Sequence, residues 1–159
     1  IVPGSRVDLV HSGVSVAVRA GATRPDIGSE DAVRQAVLAA RTLGYSTGPS
    51  GVHLAMLFER WGIADAIKSR IVLAPPGVPV GSLVAKGEVE LGFQQLSELI
   101  HQDGIDVLGP LPPAIQITTI FSAGLTTTST QARAVSALLD FMTSPAATPI
   151  LRRNGLEPA

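Results

Sequence analysis

Ser50 and Gly51 stand where a run of small residues, Tyr45-Ser46-Thr47-Gly48-Pro49-Ser50-Gly51, feeds into the helical pattern His53-Leu54-Ala55-Met56-Leu57-Phe58-Glu59-Arg60-Trp61. A loop that ends on a helix start is suited to holding an anion. The first-turn amides lack intrahelical acceptors, and the macrodipole adds about half a positive charge at that end. A second turn of this kind is read at Ile71-Val72-Leu73-Ala74-Pro75-Pro76-Gly77-Val78, although Pro79 removes one donor there. Ser50, Gly51, Gly77 and Val78 are therefore candidate ligand contacts. The competing readings are an ordinary N-cap for Ser50 and a plain post-proline turn for Gly77-Val78.

Other chemistries find little support. His11, His53 and His101 are scattered without metal-ligand spacing and the chain has no cysteine, so no metal site is expected. Gly48-Pro49-Ser50-Gly51 is not a nucleophile elbow, which needs Gly-x-Ser-x-Gly, and His53 is the only base near Ser50. Neither a dinucleotide-binding glycine motif nor a phosphate-binding P-loop occurs, so no cofactor is expected. The formal net charge is −1 and the largest basic cluster is the pair Arg152-Arg153, which argues against a nucleic-acid partner.

These residues need a scaffold, and the patterning describes one. Val7 to Val10 and Val14 to Val18 read as strand material interrupted at Ser12-Gly13. Ser29 is an N-cap candidate before Glu30 and Asp31, and Val33, Ala36, Val37 and Ala40 form the apolar stripe of a helix. Leu54, Leu57, Phe58 and Trp61 give the helix after Ser50 its core face. Short strands are expected at Leu43 to Ser46, Ile71 to Ala74, Val89 to Phe93 and Asp106 to Leu108, with a helix from Val80 to Lys86 and a short one within Gln94 to Ile100. Pro110, Pro112 and Pro113 preclude a central strand between them and the alternating run Ile115 to Ala123. A helix over Gln131 to Met142 presents Ala134, Val135, Leu138, Leu139 and Phe141 to a core, and Ser144-Pro145 is expected to cap and start another. Strands separated by helices predict an α/β fold with a mainly parallel sheet and helices on both faces.

The bulk numbers fit one such unit. The chain has 159 residues, 45% hydrophobic and 16% charged, with 16 Gly and 12 Pro. Its mean hydropathy of +0.34 is high, but no apolar run reaches the length of a membrane span. It opens at Ile1-Val2-Pro3-Gly4 without an initiator Met, which suggests a processed or truncated N-terminus.

Four segments resemble a known family: Pro49-Ser50-Gly51 opening a helix; Gly77-Val78 ahead of Leu83-Val84-Ala85-Lys86-Gly87-Glu88; Leu91-Gly92-Phe93-Gln94-Gln95; and Ala137-Leu138-Leu139-Asp140-Phe141-Met142-Thr143-Ser144-Pro145-Ala146-Ala147 running to Arg153-Asn154-Gly155-Leu156-Glu157-Pro158. Together they resemble the C-terminal two-thirds of type II periplasmic substrate-binding proteins of the molybdate-binding kind. The resemblance implies crossing strands over residues 1–20, a ligand-binding second lobe over 21–110, and over 111–159 the return to an incomplete first lobe. It also adds Gln95 to the ligand contacts, at the place where molybdate binders usually carry a tyrosine; the alternative there is a partly buried amide satisfying loop backbone. A glutamine amide both donates and accepts, which opens the site to a carboxylate or hydroxylated organic anion.

The expected function is then a non-enzymatic, periplasmic solute-binding component of an ABC importer that captures a small anion, molybdate-like or an organic acid, and delivers it to a membrane permease. The alternative is the effector-binding domain of a bacterial transcription regulator of the same fold. An isomerase or hydrolase on this scaffold would lack an evident acid/base pair. Self-association through uncovered first-lobe surface is also expected.

Overall fold

A computed structural model describes all 159 residues. Strand β1 (Val7–Arg19) is the pivot of the molecule. Helix α1 (Glu30–Ala39), strand β2 (Leu43–Ser46), helix α2 (Pro49–Arg60) and the short helix α3 (Ala64–Ile67) follow it. Next come β3 (Ile71–Ala74), α4 (Val80–Lys86), β4 (Leu91–Gln95), α5 (Leu96–Leu99) and β5 (Ile105–Pro110). The chain closes with β6 (Thr118–Ala123), α6 (Ala132–Met142), α7 (Thr148–Arg153) and β7 (Glu157–Pro158). No helix is long and apolar enough to cross a membrane.

The main sheet has the order β3-β2-β4-β1-β5, with β2 parallel to both β3 and β4 and β1 antiparallel to β4 and β5. The expected α/β fold with a mostly parallel sheet is present, and β1 is its reversed member. The first half of β1 pairs instead with β6 and β7, so this one strand joins two sheet regions. The expected break at Ser12-Gly13 does not occur. Ser12 and Gly13 pair with Thr119 and Thr118, the Ser12 hydroxyl donates to the Gly155 carbonyl at 2.9 Å and accepts from the Ser97 amide at 3.2 Å, and the missing Cβ of Gly13 admits the Gln116 side chain. Long-range partners there override the local turn preference of Ser-Gly.

Alternation along the strands sorts two apolar clusters onto opposite sheet faces. Val14, Val16, Val18, Leu43, Tyr45, Leu91 and Phe93 join Val33 and Val37 of α1 and Leu54, Leu57 and Phe58 of α2. The intervening positions face α4, whose Val80, Leu83 and Val84 cluster with Ala74 and Val89. Two of those positions are glycines because nothing larger fits: a Cβ on Gly92 would lie 2.5 Å from Val84 Cγ2, and one on Gly44 2.7 Å from Val89 Cγ1.

Ser29 caps α1 as expected, its hydroxyl accepting from the Ala32 amide at 3.1 Å. Ser29→Ala should cost about 1 kcal/mol in urea denaturation, the usual value of such a cap. Beside it, Glu30 accepts from Trp61 Nε1 at 2.7 Å and pairs with Arg60 at 3.0 Å. The Trp61 hydrogen bond first, and the Arg60 guanidinium after it, hold the Glu30 carboxyl below its ordinary value of 4.5, against an opposing desolvation. A depressed carboxyl stabilises the fold above its ordinary value and loses that contribution as pH falls through the depressed one. Melting temperature should therefore fall less steeply below pH 4.5 in Glu30→Gln than in the native chain.

Two expectations for the C-terminal segment are corrected. Ser144-Pro145 does not start a helix: the Ser144 hydroxyl donates back to the Phe141 carbonyl at 2.7 Å, closing α6, and α7 begins only at Thr148 with Pro149 in its first turn. Helix α6 forms where the periodicity predicts it, but none of its residues is buried. Leu138 is 56% and Phe141 55% exposed, because no other segment of the chain packs over that side of α6.

Candidate ligand-binding site

The ends of three parallel strands gather the candidate residues. β3, β2 and β4 are neighbours and stop at Ala74, Ser46 and Gln95, so the segments that follow them emerge along one edge of the sheet. The carboxyl edge of a parallel sheet is where strand-to-helix turns leave a crevice lined by helix starts. Chain order does not reveal this adjacency.

At the first turn, Gly48 is the cap and Pro49 the first residue of α2, which sets φ for helix entry and removes a donor that would have no partner. Ser50 is thus the second helical residue, and its hydroxyl does not cap. It donates to Gln95 Oε1 at 3.3 Å, and Gln95 Nε2 in turn donates to Thr119 Oγ1 at 3.0 Å. Ser50 and Gln95 are almost fully buried, at 2% and 5% exposure. This chain of three polar side chains ties the α2 start and the β4 end to β6.

Gly51 serves close approach. Its amide donates to the Gly48 carbonyl at 3.0 Å, and a Cβ there would lie 1.7 Å from the Ser46 carbonyl oxygen. The backbone of β2 and the first turn of α2 are in direct contact, with no room for a side chain.

The second turn is a tight one. Pro76 and Gly77 occupy the centre of a turn closed by the Val78 amide donating to the Pro75 carbonyl at 3.0 Å, and Gly77 takes φ 80°, the left-handed value such a turn requires. The Val80 amide donates to Gln94 Oε1 at 2.8 Å. With Pro79 lacking a donor, the amides at 78 and 80 are both engaged within the protein. Free backbone donors remain at both turns: neither the Ser50 amide at the α2 start nor the Gly77 amide has an acceptor within the protein.

Gln94 and Thr119 were not singled out by sequence. Gln94 follows from strand alternation, since adjacent residues of β4 point to opposite faces and a second amide must then serve the α4 side. Its Nε2 also donates to the Glu98 carboxylate. Desolvation pushes the Glu98 carboxyl up from its ordinary range, with the Gln94 hydrogen bond acting against it. Thr119 carries no local signal; it sits in an alternating strand and reaches Gln95 only because β6 folds back beside β1. His53 lies three residues beyond Ser50 on α2 and is exposed.

A cavity of about 660 Å³ lies elsewhere, at the opposite sheet edge between Arg19, Ala40, Arg41 and Glu90. Its rim ion pair, Arg41 to Glu90 at 3.1 Å, is exposed and contributes little to stability.

Comparison with known proteins adds what geometry alone does not. Residues 1–157 match the family model described as bacterial extracellular solute-binding protein. An aconitate isomerase from a Pseudomonas species is 41% identical over 97% of this chain, and the chain spans 59% of that protein's length. Among solved structures, a substrate-binding domain ascribed to a molybdenum ABC transporter of Clostridium difficile superposes with a TM-score of 0.77 at 16% identity, over 100% of this chain and 69% of that one. The periplasmic molybdate-binding protein of Azotobacter vinelandii gives 0.73 at 23% identity, over 99% and 70%. At those identities the two structures show the fold alone. The expectation of a non-enzymatic chain does not stand, because the isomerase match is to an enzyme and covers nearly the whole sequence.

Proposed function

We propose a catalytic reading that starts from one established point: the chain belongs to the bacterial extracellular solute-binding proteins. Within that family, the reading is isomerisation of a small unsaturated polycarboxylate, aconitate or a close analogue, at the carboxyl edge of β2, β3 and β4. The observation that carries it is the 41% identity to aconitate isomerase across 97% of the chain, against 16% and 23% for the molybdenum and molybdate proteins. Gln95, with both donor and acceptor, suits a planar carboxylate as well as it suits an oxyanion.

The chemistry asks for carboxylate binding and movement of one proton. Taking a proton from the methylene of the substrate shifts an electron pair into the adjoining alkene. Returning a proton to the far carbon of that allylic unit completes a balanced double-bond migration, and rotation before reprotonation changes its geometry. The Ser50 amide and the second Nε2 hydrogen of Gln95 would hold a carboxylate near the helix start, where the dipole favours negative charge, with the Ser50 hydroxyl fixing the Gln95 amide. None of these side chains titrates near neutral pH. His53, one turn along α2 from Ser50, is the candidate proton carrier.

The test is incubation of the protein with trans-aconitate, following the cis isomer by proton NMR, with His53→Ala alongside. Turnover that falls in the variant supports the reading. Absence of turnover in the native protein, with carboxylate binding still seen by calorimetry, would favour the second reading. That second reading is capture of a small organic anion in the periplasm for delivery to an ABC permease, supported by the family's description and by the fold shared with transporter components.

A further inference from the structure

We propose that Thr119 is a further substrate-binding residue, its hydroxyl forming with the Gln95 amide a two-donor fork for one carboxylate of the substrate. The inference rests on the catalytic reading for the class of substrate and on strand register for its geometry. Ser12 pairs with Thr119 across β1 and β6, and Val14 pairs with Gln95 across β1 and β4. Directly paired residues share a face, and so do residues two apart on one strand. Thr119 and Gln95 therefore point to the same side of the sheet, the side on which Ser50 meets Gln95.

The hydrogen bonds there run in one direction. The Ser50 hydroxyl donates to Gln95 Oε1 at 3.3 Å and Gln95 Nε2 donates to Thr119 Oγ1 at 3.0 Å, so the chain of donors leads from α2 through β4 to β6. Thr119 is its last member. The Thr119 oxygen is occupied as an acceptor, while its own O–H donates to no group of the protein. Ser50 and Gln95 are nearly closed off, whereas Thr119 is half-buried and carries the end of the chain toward solvent.

Two donors side by side select the chemistry of the guest. The Thr119 hydroxyl hydrogen and the second Nε2 hydrogen of Gln95 belong to atoms 3.0 Å apart, and each can address one oxygen of a planar carboxylate, as paired guanidinium N–H groups do. A primary amide in the same place would set its own N–H groups against one of those donors. The fork thus favours a free carboxylate over its amide.

The experiment follows turnover of trans-aconitate by proton NMR and binding of tricarballylate, the saturated tricarboxylate with no double bond to move, by calorimetry. The chains compared are the native protein, Thr119→Val, Thr119→Ser and Thr118→Val. Thr119→Val keeps the side-chain shape and removes the hydroxyl, so KM and the tricarballylate Kd should each rise about tenfold while kcat changes less than about threefold. Thr119→Ser should restore both constants to within about threefold of native. Thr118 pairs with Gly13 and points to the other face, so Thr118→Val should bind as the native chain does. If Thr119→Val fails to fold, Thr119→Ala removes the same hydroxyl and takes its place. Native KM and Kd in the hydroxyl-free variant, equal losses in Thr119→Ser, or a matching loss in Thr118→Val would each overturn the proposal. Native binding of tricarballylate without turnover, weakened in Thr119→Val, would retire the isomerase reading and keep Thr119 as a ligand contact; neither binding nor turnover in the native chain would overturn both.

Discussion

Gly51→Ala should destabilise the protein by about 3 kcal/mol or more, because the added methyl would lie 1.7 Å from the Ser46 carbonyl oxygen and 2.9 Å from its carbon. Both atoms belong to the backbone of β2, which is fixed between β3 and β4. Neither can swing aside as a side chain would. The first turn of α2 must move instead, and with it Leu54, Leu57 and Phe58 in the larger cluster. For a chain of this size the loss corresponds to a fall of roughly 6–12 °C in melting temperature. Gly48→Ala is the control: a Cβ there meets only the Ser46 hydroxyl at 3.5 Å, an ordinary contact, so the change should cost far less. Equal stability of Gly51→Ala and the native chain in urea denaturation would contradict the close approach of α2 to β2.

Gln95→Leu should reduce kcat/KM for aconitate about ten- to hundredfold, the worth of one or two carboxylate-directed hydrogen bonds. It should also cost about 1–3 kcal/mol of stability by leaving the Ser50 hydroxyl without its acceptor in a nearly closed environment. Gln95→Glu separates the two effects. A carboxylate can still accept from Ser50 and so hold the local fold, but it repels a polycarboxylate substrate. Stability near native together with strongly reduced turnover in Gln95→Glu is the expected pattern. Full activity in both variants would move the site away from the carboxyl edge of β4.

The two substitutions act on different levels of the same region. Gly51 lets the helix start come close enough to the sheet; Gln95 supplies the group that a ligand at that start would meet. The α2 start therefore depends on packing for its position and on a distant strand for its chemistry.

What the sequence by itself determined is local. The Ser29 cap, the helix entry at Pro49, the left-handed turn at Gly77 and the alternation of β2 and β4 all follow from constraints acting over a few residues: capping geometry, a fixed or permissive φ, and side-chain period. The tertiary structure decided the rest. Ser50 meets Gln95 across 45 positions in the chain, and Gln95 meets Thr119 across 24, because the strand order is not the chain order and β6 returns beside β1. The same long-range register keeps β1 unbroken through Ser12-Gly13, confines Gly51 against Ser46 and buries the Ser15 hydroxyl without a protein partner. Such pairings depend on which strands become neighbours, and a short-range pattern carries no record of that.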